Sequence, residues 1–543
     1  MATERKGQNF IVQAGILAIA GFLSKIIGTI YRTPLTAIIG NEGNGYYGAA
    51  YYVYVIILTI ASYSMPTAIS KIISGYLARK EYRNAQRVLK CAFLYVTVMG
   101  VLASVILFFG ADLFLEKNSA IVLRVFTPTI IIYGYLGVLR GYFQAHRTMV
   151  QTSVSQILEQ ILNALVSIFA AYFLTNMIKD GDATTRAIYG ACGSALGTGS
   201  GVLAGLLFMV GMYMLNRKVI RNRVKRDRTV EVESYRIILR HMLFIVTPII
   251  ISSCIYNMNT VVNQTVFTKI LMYLKGFTEA DASKLYGVYS GRVVVIANIP
   301  VAIGAAMSSA MIPTVSTLYE KQDYEGINAK VRDGVRATMF ISIPAAVGLM
   351  VLADPIMGLL QGTPEYYRLA VRLLRCMSIT VIFYQISTIS NGVLQGIGRV
   401  RIPVINSGIA LVLQTLLLIP LLIFTDLEDY ALVIATVFYT VCISMLNQFS
   451  VHKYTGYRQE ILKTFLAPLA AAALMGVLSY LTYEGLRMTG LHYSVCLFVA
   501  MGVAVIVYFV AVIKVSGTGE EDLIKLPKGR ILVRMAKKVH LLK

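Results

Sequence analysis

The chain has 543 residues, of which 57% are hydrophobic and only 14% are charged, whereas soluble globular proteins carry about 25% charged residues. The apolar residues fall in blocks of roughly 20, the length that crosses a hydrocarbon core, so the composition excludes a soluble protein. The net charge of +23 would suit nucleic acid in a soluble chain, but in a membrane protein its distribution between loops matters more. We therefore predict a multi-pass, all-α membrane protein without a nucleic-acid partner.

About fourteen transmembrane helices are predicted from the apolar blocks. The first block follows Arg5 and Lys6 without a convincing cleavage site, so it is interpreted as an uncleaved helix. An even number of spans places both termini on one side. With the N-terminus in the cytoplasm, roughly 35 of the 50 basic residues fall on cytoplasmic segments, as the positive-inside rule requires. The predicted spans are 10–31, 46–76, 90–110, 120–143, 150–174, 187–215, 240–270, 286–313, 335–353, 369–396, 402–424, 430–451, 461–483 and 491–513.

The richest basic segment, 217–228, lies between spans six and seven and divides the chain. We interpret it as a topology determinant that lies on anionic headgroups, with nucleic-acid binding as the alternative. The predicted parts are an N-terminal lobe of six helices (1–216), a basic cytoplasmic linker (217–239), a C-terminal lobe of six helices (240–452), spans thirteen and fourteen (453–515) and a basic cytoplasmic tail (516–543).

A weak internal repeat relates the two lobes at one constant offset. Leu123, Arg124, Ile131, Tyr133, Gly141 and Gln144 recur as Leu374, Arg375, Ile382, Tyr384, Gly392 and Gln395. Six helices per lobe give both lobes the same orientation, so the repeat is parallel. Such repeats typically hold a substrate site between the lobes near the bilayer midplane.

Three basic residues are predicted to lie inside the membrane, where a charge is costly and marks a functional site. Lys25 and Arg32 share one face of span one at helical spacing. Arg292 lies about two turns inside span eight. We interpret these three residues as a cationic cluster that binds an anionic substrate headgroup. The alternative is that their long side chains reach the membrane interface.

Polar stripes on spans five, seven and ten predict a wet central cavity, because lipid cannot satisfy such side chains. Glu159 is the only carboxylate predicted to lie clearly inside the membrane. The alternative for each residue is interhelical hydrogen bonding, which is common in membrane bundles. The predicted cavity and gating residues are Glu159, Gln156, Asn163, Asn257, Asn263, Asn391 and Gln395.

Signatures of enzyme chemistry are lacking in the sequence. The six cysteines lie singly in apolar blocks, and the histidines form no nucleophile or metal motif. The acidic pair Asp180 and Asp182 flanks a glycine and is interpreted as a turn. Gly193, Gly197, Gly201 and Gly205 have the four-residue spacing of a helix-packing face rather than of a phosphate loop. We therefore predict a transporter with no catalytic residue, no metal and no cofactor.

Three segments carry a family resemblance: FLSKIIGTIYRTPLTAIIG, MPTAISKIISGYLARKEY and LRGYFQAHR. They resemble the polysaccharide-biosynthesis and stage V sporulation protein B group, relatives of the MurJ lipid II flippases. This group belongs to the multidrug/oligosaccharidyl-lipid/polysaccharide exporter superfamily. The resemblance covers essentially the whole chain.

The resemblance implies two lobes around a cationic cavity that opens to each side of the membrane in turn. Its substrates are undecaprenyl-pyrophosphate-linked saccharides, lipid II in the MurJ relatives. Basic residues of spans one and eight bind the headgroup there, at positions that correspond to Lys25, Arg32 and Arg292. Spans thirteen and fourteen supply the lipid-tail groove. Two departures are that Lys25 replaces an arginine and that span two lacks an early basic residue.

A lipid flippase of the bacterial cytoplasmic membrane, with both termini in the cytoplasm, is therefore expected. Its expected partners are a lipid-linked oligosaccharide and membrane lipids, and a monomer is expected. The alternatives are a flippase for another polysaccharide repeat unit, a cation or drug antiporter of the same superfamily, a membrane-embedded glycan transferase, and a scaffold for cell-wall assembly. Coupling to protons, sodium or membrane potential stays open.

Overall fold

The structure, a computed structural model, describes residues 20–21, 23–24, 27–28, 30–63, 65–146, 148–178, 181–227, 232–360, 366–516 and 534. Throughout these ranges the regular elements are helical, which confirms the all-α class. Eleven helices in the described part are long and apolar enough to cross a membrane, or twelve if one pair bent by 44° forms a single span. The count of fourteen stays a prediction.

The α-helices of the described part are named here in chain order. They are α1 (Arg32–Leu58), α2 (Met65–Ala78), α3 (Tyr82–Phe114), α4 (Lys117–Ala145), α5 (Met149–Met177), α6 (Ala183–Lys225), α7 (Tyr235–Tyr273), α8 (Glu279–Val288), α9 (Val294–Glu320), α10 (Tyr324–Val351), α11 (Ala353–Leu360), α12 (Tyr367–Met377), α13 (Thr380–Gly396), α14 (Arg401–Phe424), α15 (Asp429–Thr455), α16 (Ala467–Met488) and α17 (Tyr493–Ser516). Single π-helical turns occupy Thr59–Tyr63, Tyr289–Val293 and Leu462–Leu466.

The connection between the first two predicted spans differs from the expectation. Residues 32–45 were expected to lie between spans, but α1 runs through them and leaves helical geometry only at Gly40, with φ 69° and ψ −175°. Glycine reaches this positive φ without a steric penalty. The Asn44 side chain spans the bend by donating to Thr36 Oγ1 and to the Gly40 carbonyl, both at 3.0 Å. These two bonds pair buried polar groups of Thr36, Gly40 and Asn44, so this glycine-containing stretch can remain helical.

Two compact units divide the chain, one at 1–291 and the other at 292–543. In the first unit, α7 packs against α1, α2 and α3, and α8 packs against α1. Helices that follow the basic linker are therefore part of the first unit's packing. The functional division into lobes at 1–216 and 240–452 stays a prediction.

Close packing between α5 and α6 confirms the predicted glycine face. A Cβ atom at Gly193 would lie 2.5 Å from the Ala171 nitrogen, and one at Gly197 would lie 2.1 Å from Ser167 Oγ. At Gly201 it would lie 2.4 Å from the Glu159 carbonyl oxygen. Small residues let the two backbones approach, as is typical of membrane helices.

Replacing Gly197 with leucine is expected to separate α5 from α6. It should lower the free energy of unfolding by about 1–3 kcal/mol, the usual cost of overpacking. The matched control is Gly211→Leu on the same helix, where a Cβ atom meets nothing within 4 Å. The yield of monodisperse protein after heating in detergent measures both variants. Equal yields would contradict the assignment of Gly197 to a packing face.

The two halves of the internal repeat pack alike, each within its own unit. In the first unit a Cβ atom at Gly141 of α4 would lie 2.7 Å from the Pro66 carbonyl oxygen of α2. In the second unit, one at the equivalent Gly392 of α13 would lie 2.9 Å from the Ser308 carbonyl oxygen of α9. This shared close approach supports a duplication of the helical unit.

The end of the first unit at which α2 ends, α3 begins and α6 ends is called the basic end. Here α6 continues to Lys225, ten residues beyond the predicted span end at 215, because this stretch contains no glycine or proline. The chain that follows is anchored to the turn between α2 and α3. The Arg83 backbone N–H donates to Asp227 Oδ2 at 2.6 Å, and the Arg87 guanidinium donates to the Glu233 carbonyl at 2.7 Å.

Candidate functional site

Of the two predicted cations on span one, the structure places Arg32 at the start of α1, and Lys25 lies outside the described residues. The Arg32 Cζ atom lies 5.7 Å from the centroid of the Tyr47 ring. Tyr47 in turn stacks on Tyr51 with a centroid distance of 5.7 Å. A guanidinium over an aromatic face is attracted by the ring's quadrupole. Arg32 is therefore held by the aromatic residues of α1.

The third predicted cation, Arg292, is completely buried, with 0% of its surface exposed. It lies in the π-helical turn Tyr289–Val293, about 20 Å along the helix from Glu279 at the start of α8. An arginine that reached the membrane interface would expose its guanidinium, so burial argues against that alternative for Arg292. π-Helical turns inside α-helices are frequent at functional sites.

Glu159 lies in an ion pair inside the first unit. Arg140 of α4 donates from Nη2 to Glu159 Oε2 of α5 at 2.7 Å, and from Nε to Ser155 Oγ at 2.9 Å. The Arg140 and Glu159 side chains are 6% and 15% exposed. Arg140 is not among the residues predicted from the sequence, although it lies in the family segment LRGYFQAHR. A carboxylate inside the membrane requires a partner of this kind, since buried charges are paired.

The other predicted polar residues have different surroundings. Asn163 is buried, and its Oδ1 accepts from Ser167 Oγ at 2.9 Å. The Gln156 Oε1 atom is buried without a hydrogen-bond partner in the described part of the chain. Asn263 is 3% exposed, whereas Gln395 is exposed. The side chain of Asn257 lies outside the described residues.

In the second unit, Asn391 belongs to a polar network between α13, α14 and α15. The Asn447 side chain donates to Asn391 Oδ1 at 3.1 Å and to Ser387 Oγ at 3.0 Å. Asn406 donates to Asn447 Oδ1 at 2.8 Å. Interhelical hydrogen bonding, the alternative noted for these stripes, is thus confirmed at Asn391. A role in a cavity stays a prediction.

A second charged cluster, which the sequence analysis missed, lies at the opposite end of the first unit from the basic end. Glu42 of α1 is 7% exposed; its Oε1 accepts from the Tyr46 hydroxyl at 3.0 Å, and its Oε2 lies 3.9 Å from Lys284 Nζ of α8. Glu279 accepts from the backbone N–H groups of Asn118 and Ser119 at 3.2 and 3.4 Å. The cluster joins α1, α4 and α8, and we call it the far-end cluster.

Beside this cluster, α1 and α8 approach so closely that only small residues fit. A Cβ atom at Gly45 would lie 1.9 Å from the Ser283 carbonyl oxygen, and one at Gly287 would lie 2.0 Å from that of Asn41. A side chain at either glycine would require the backbone to move. At the far end of the first unit, α1 and α8 are therefore held together by close backbone packing as well as by the Glu42–Lys284 ion pair.

The second unit buries another carboxylate that the sequence analysis did not predict. Asp429 begins α15 and is 1% exposed, and neither of its carboxylate oxygens has a hydrogen-bond partner among the described residues. Glu42 and Asp429 are thus two further buried carboxylates, but both lie outside the predicted spans, so the expectation that Glu159 is the only carboxylate clearly inside the membrane stays a prediction. Glu42 lies within α1, two residues after the bend at Gly40, and Asp429 is the first residue of α15. Hydropathy places both outside the apolar blocks, where it does not distinguish a buried residue from a loop residue.

The Asp180–Asp182 turn is described only in part, since Asp180 lies outside the described residues. Asp182 caps α6, and its Oδ2 accepts from the Thr185 backbone N–H at 3.3 Å. Hydrogen bonds from the Thr185 side chain and backbone lower the pKa of Asp182. Helix capping accounts for this residue.

The family model of the lipid II flippase MurJ matches residues 115–503. The chain belongs to the MurJ lipid II flippase family. Among curated proteins it is 23% identical to the MurJ of Bacillus subtilis (strain 168) over 479 residues, covering 85% of this chain and 86% of that protein. It is likewise 23% identical to stage V sporulation protein B of the same organism, covering 87% and 89%.

Solved structures show the same fold. An inward closed conformation of MurJ matches with a TM-score of 0.66 at 16% identity, covering 92% of this chain and 98% of that one. An inward-facing multidrug transporter of the MATE family matches with a TM-score of 0.63 at 14% identity, covering 80% and 94%. As a member of the MurJ family the chain is a transporter and not an enzyme, and it is a multi-pass protein of the bacterial inner membrane.

Proposed function

We propose that this protein translocates an undecaprenyl-pyrophosphate-linked saccharide, lipid II in the first instance, across the inner membrane by alternating access. Arg32 and Arg292 bind the pyrophosphate headgroup, with Lys25 as a third cation. Glu159 belongs to the gating network through its pair with Arg140. Membership of the MurJ family supports a lipid-linked precursor as substrate.

The main support for a headgroup site is that Arg292 is fully buried. A fully buried guanidinium is retained against a desolvation cost of several kcal/mol. The planar guanidinium forms paired hydrogen bonds with phosphate oxygens, so it fits a pyrophosphate better than a cationic drug. Such fixed cations would replace the hydration of a headgroup that cannot cross hydrocarbon unaided.

The basic end is proposed to face the cytoplasm, and the far-end cluster is proposed to face outside. Segment 217–228 carries many lysines and arginines, and loops of this kind remain on the cytoplasmic side. In this orientation the contact between α1 and α8 closes the outer end of the first unit. The monomeric state and coupling to protons, sodium or membrane potential remain predictions.

Rescue of cells depleted of their own lipid II flippase tests this function. We expect the wild-type protein to restore lipid II translocation and Arg292→Ala to lose it, because truncating a buried charged contact costs about 2–5 kcal/mol, or roughly 30-fold or more in affinity. The matched control is Arg372→Ala, an exposed arginine of α12, which should rescue fully. Arg292→Lys keeps the charge and shows whether the paired geometry is needed.

Membrane levels of each variant are measured beside rescue, so that a folding defect is recognised. Equal rescue by wild type and by a normally expressed Arg292→Ala variant would keep the flippase and refute the headgroup site. Failure of a well-expressed wild type would refute lipid II as substrate. Another lipid-linked saccharide or a scaffold role would then account for the family membership.

A further inference from the structure

A wholly apolar groove lies on the surface of the first unit between α3, α4 and α6. Its volume is about 310 Å³, and its lining is formed by Phe93, Tyr135, Leu139, Leu206, Val210, Tyr213 and Met214. The two tyrosine hydroxyls are already engaged, Tyr135 with Thr97 at 2.8 Å and Tyr213 with Gln86 at 2.8 Å. The groove therefore offers a ligand hydrocarbon contact and no hydrogen bond.

The surface around the groove has the character of one that faces lipid. On α3, Leu94 and Val98 are 62% and 57% exposed, and on α6, Leu207 and Met214 are 62% and 65% exposed. In a membrane protein such exposed apolar side chains contact acyl chains. The groove is thus reached from the bilayer.

Two exposed cations lie on the same helical stripes as the groove. On α3, Lys90 follows Gln86 by four residues and precedes Phe93 by three, so it projects from the face that lines the groove. On α6, Arg217 follows Tyr213 by four residues and extends the stripe of Leu206 and Val210. Lys90 and Arg217 are exposed and lie toward the basic end.

The opposite directions of the two helices bring these cations toward each other. Side chains lean toward the N-terminus of their own helix. α3 begins at the basic end, so Lys90 leans toward that end, whereas α6 ends there, so Arg217 leans back toward the groove. The contact between Gln86 and Tyr213 fixes this register.

Carboxylates at the basic end are hydrogen-bonded inside the protein and are outnumbered by basic residues, five of which lie in 217–225 of α6, where no acidic residue is present. Asp227 accepts from the Arg83 backbone N–H at 2.6 Å, and Glu233 accepts from the Tyr76 hydroxyl at 2.6 Å. Glu81 accepts from the Asn84 side chain at 2.9 Å. The rim of the groove at the basic end is therefore positively charged.

We propose that this groove is a binding site for an anionic phospholipid of the membrane. One acyl chain fills the groove between α3, α4 and α6, and Lys90 and Arg217 bind the phosphate headgroup. Charge complementarity selects the anionic lipid, since each cation near such a headgroup contributes about five-fold in affinity. The site is separate from the headgroup site of the transported substrate and does not depend on the identity of that substrate.

Fluorescence quenching by brominated lipids tests the site, because the chain contains no tryptophan. The variant Phe93→Trp introduces one fluorophore in the groove. Its matched control is Phe109→Trp, the same substitution on the same helix at a position that is 79% exposed. Each variant is reconstituted in phosphatidylcholine vesicles with increasing fractions of brominated phosphatidylglycerol or brominated phosphatidylcholine.

We expect half-quenching of the Phe93→Trp fluorophore at a roughly 25-fold lower fraction of brominated phosphatidylglycerol than of brominated phosphatidylcholine, because two cations each contribute about five-fold. The control fluorophore should show no preference. Adding Lys90→Gln and Arg217→Gln should abolish the preference at the groove; both residues are exposed, so folding should be unaffected.

Equal quenching by the two lipids in the Phe93→Trp variant would refute the proposal. The same conclusion follows if the preference survives the Lys90→Gln and Arg217→Gln substitutions. Displacement of the brominated lipid by a low fraction of undecaprenyl phosphate, but not by unlabelled phosphatidylglycerol, would also refute it, because the occupant would then be a polyprenyl chain.

Discussion

Replacing Arg140 with glutamine is expected to destabilise the first unit by about 3–5 kcal/mol. The substitution leaves the Glu159 carboxylate in the interior without its charged partner, and an uncompensated buried charge is far more costly than a missing surface pair. The Arg140–Glu159 pair is a buried pair, because its contact is 2.7 Å long and both side chains are little exposed. Thermal unfolding of the purified protein, followed by size-exclusion chromatography after heating, measures the change.

Arg124→Gln is the matched control, because Arg124 forms an ion pair with Asp112 in which the side chains are 32% and 59% exposed. Exposed pairs contribute about 0–1 kcal/mol, so this variant should unfold near the wild-type temperature. The double variant Arg140→Met with Glu159→Met removes both charges together and should recover much of the loss. A single Arg140→Gln variant as stable as wild type would show that Glu159 does not need its partner.

A disulfide between Gly48→Cys and Ser290→Cys is expected to form readily and to abolish transport. A Cβ atom at Gly48 would lie 3.8 Å from Ser290 Cβ, which matches the mean separation in natural disulfides. The bond would tie α1 to the π-helical turn after α8, so an alternating-access cycle that opens this contact could not be completed. Transport and crosslinking are measured in a background in which the native cysteines are replaced.

Each single cysteine variant serves as a control and should transport normally with or without oxidant. Reduction of the crosslinked protein should restore transport, which separates locking from a packing defect. Full transport by a quantitatively crosslinked protein would mean that α1 and this turn stay together throughout the cycle.

Much of the fold could be predicted because membrane helices have a strong signal in sequence. The four-residue spacing of Gly193, Gly197 and Gly201 predicted a packing face that the structure contains. The repeat at Gly141 and Gly392 likewise corresponds to a shared close approach of helices. The bend at Gly40 could not be predicted, because hydropathy reports only how long and how apolar a segment is. It does not report local hydrogen bonds, such as those of Asn44, that keep a polar segment helical.

The candidate site was only partly accessible from sequence, for a related reason. Rules for intramembrane charge identified Glu159 and Arg292, since both lie well inside apolar blocks. Arg140 lies close to the end of its helix, where an arginine can reach the membrane interface and gives no signal of a buried site. Its partner Glu159 on the neighbouring helix is known only from the structure. Glu42 and Lys284 lie far apart in the chain, and only packing of α1 on α8 brings them together.

The packing of α7 against α1, α2 and α3 has a consequence for how the protein is made. The first six helices leave the ribosome before α7 and α8, yet these two later helices complete the packing of the first unit. A nascent chain that stops before Tyr235 would expose the α3 and α1 surfaces that α7 and α8 cover. Such a fragment should be recognised by membrane proteases, so insertion of the later helices, rather than synthesis of the first six, marks the point at which this unit escapes degradation.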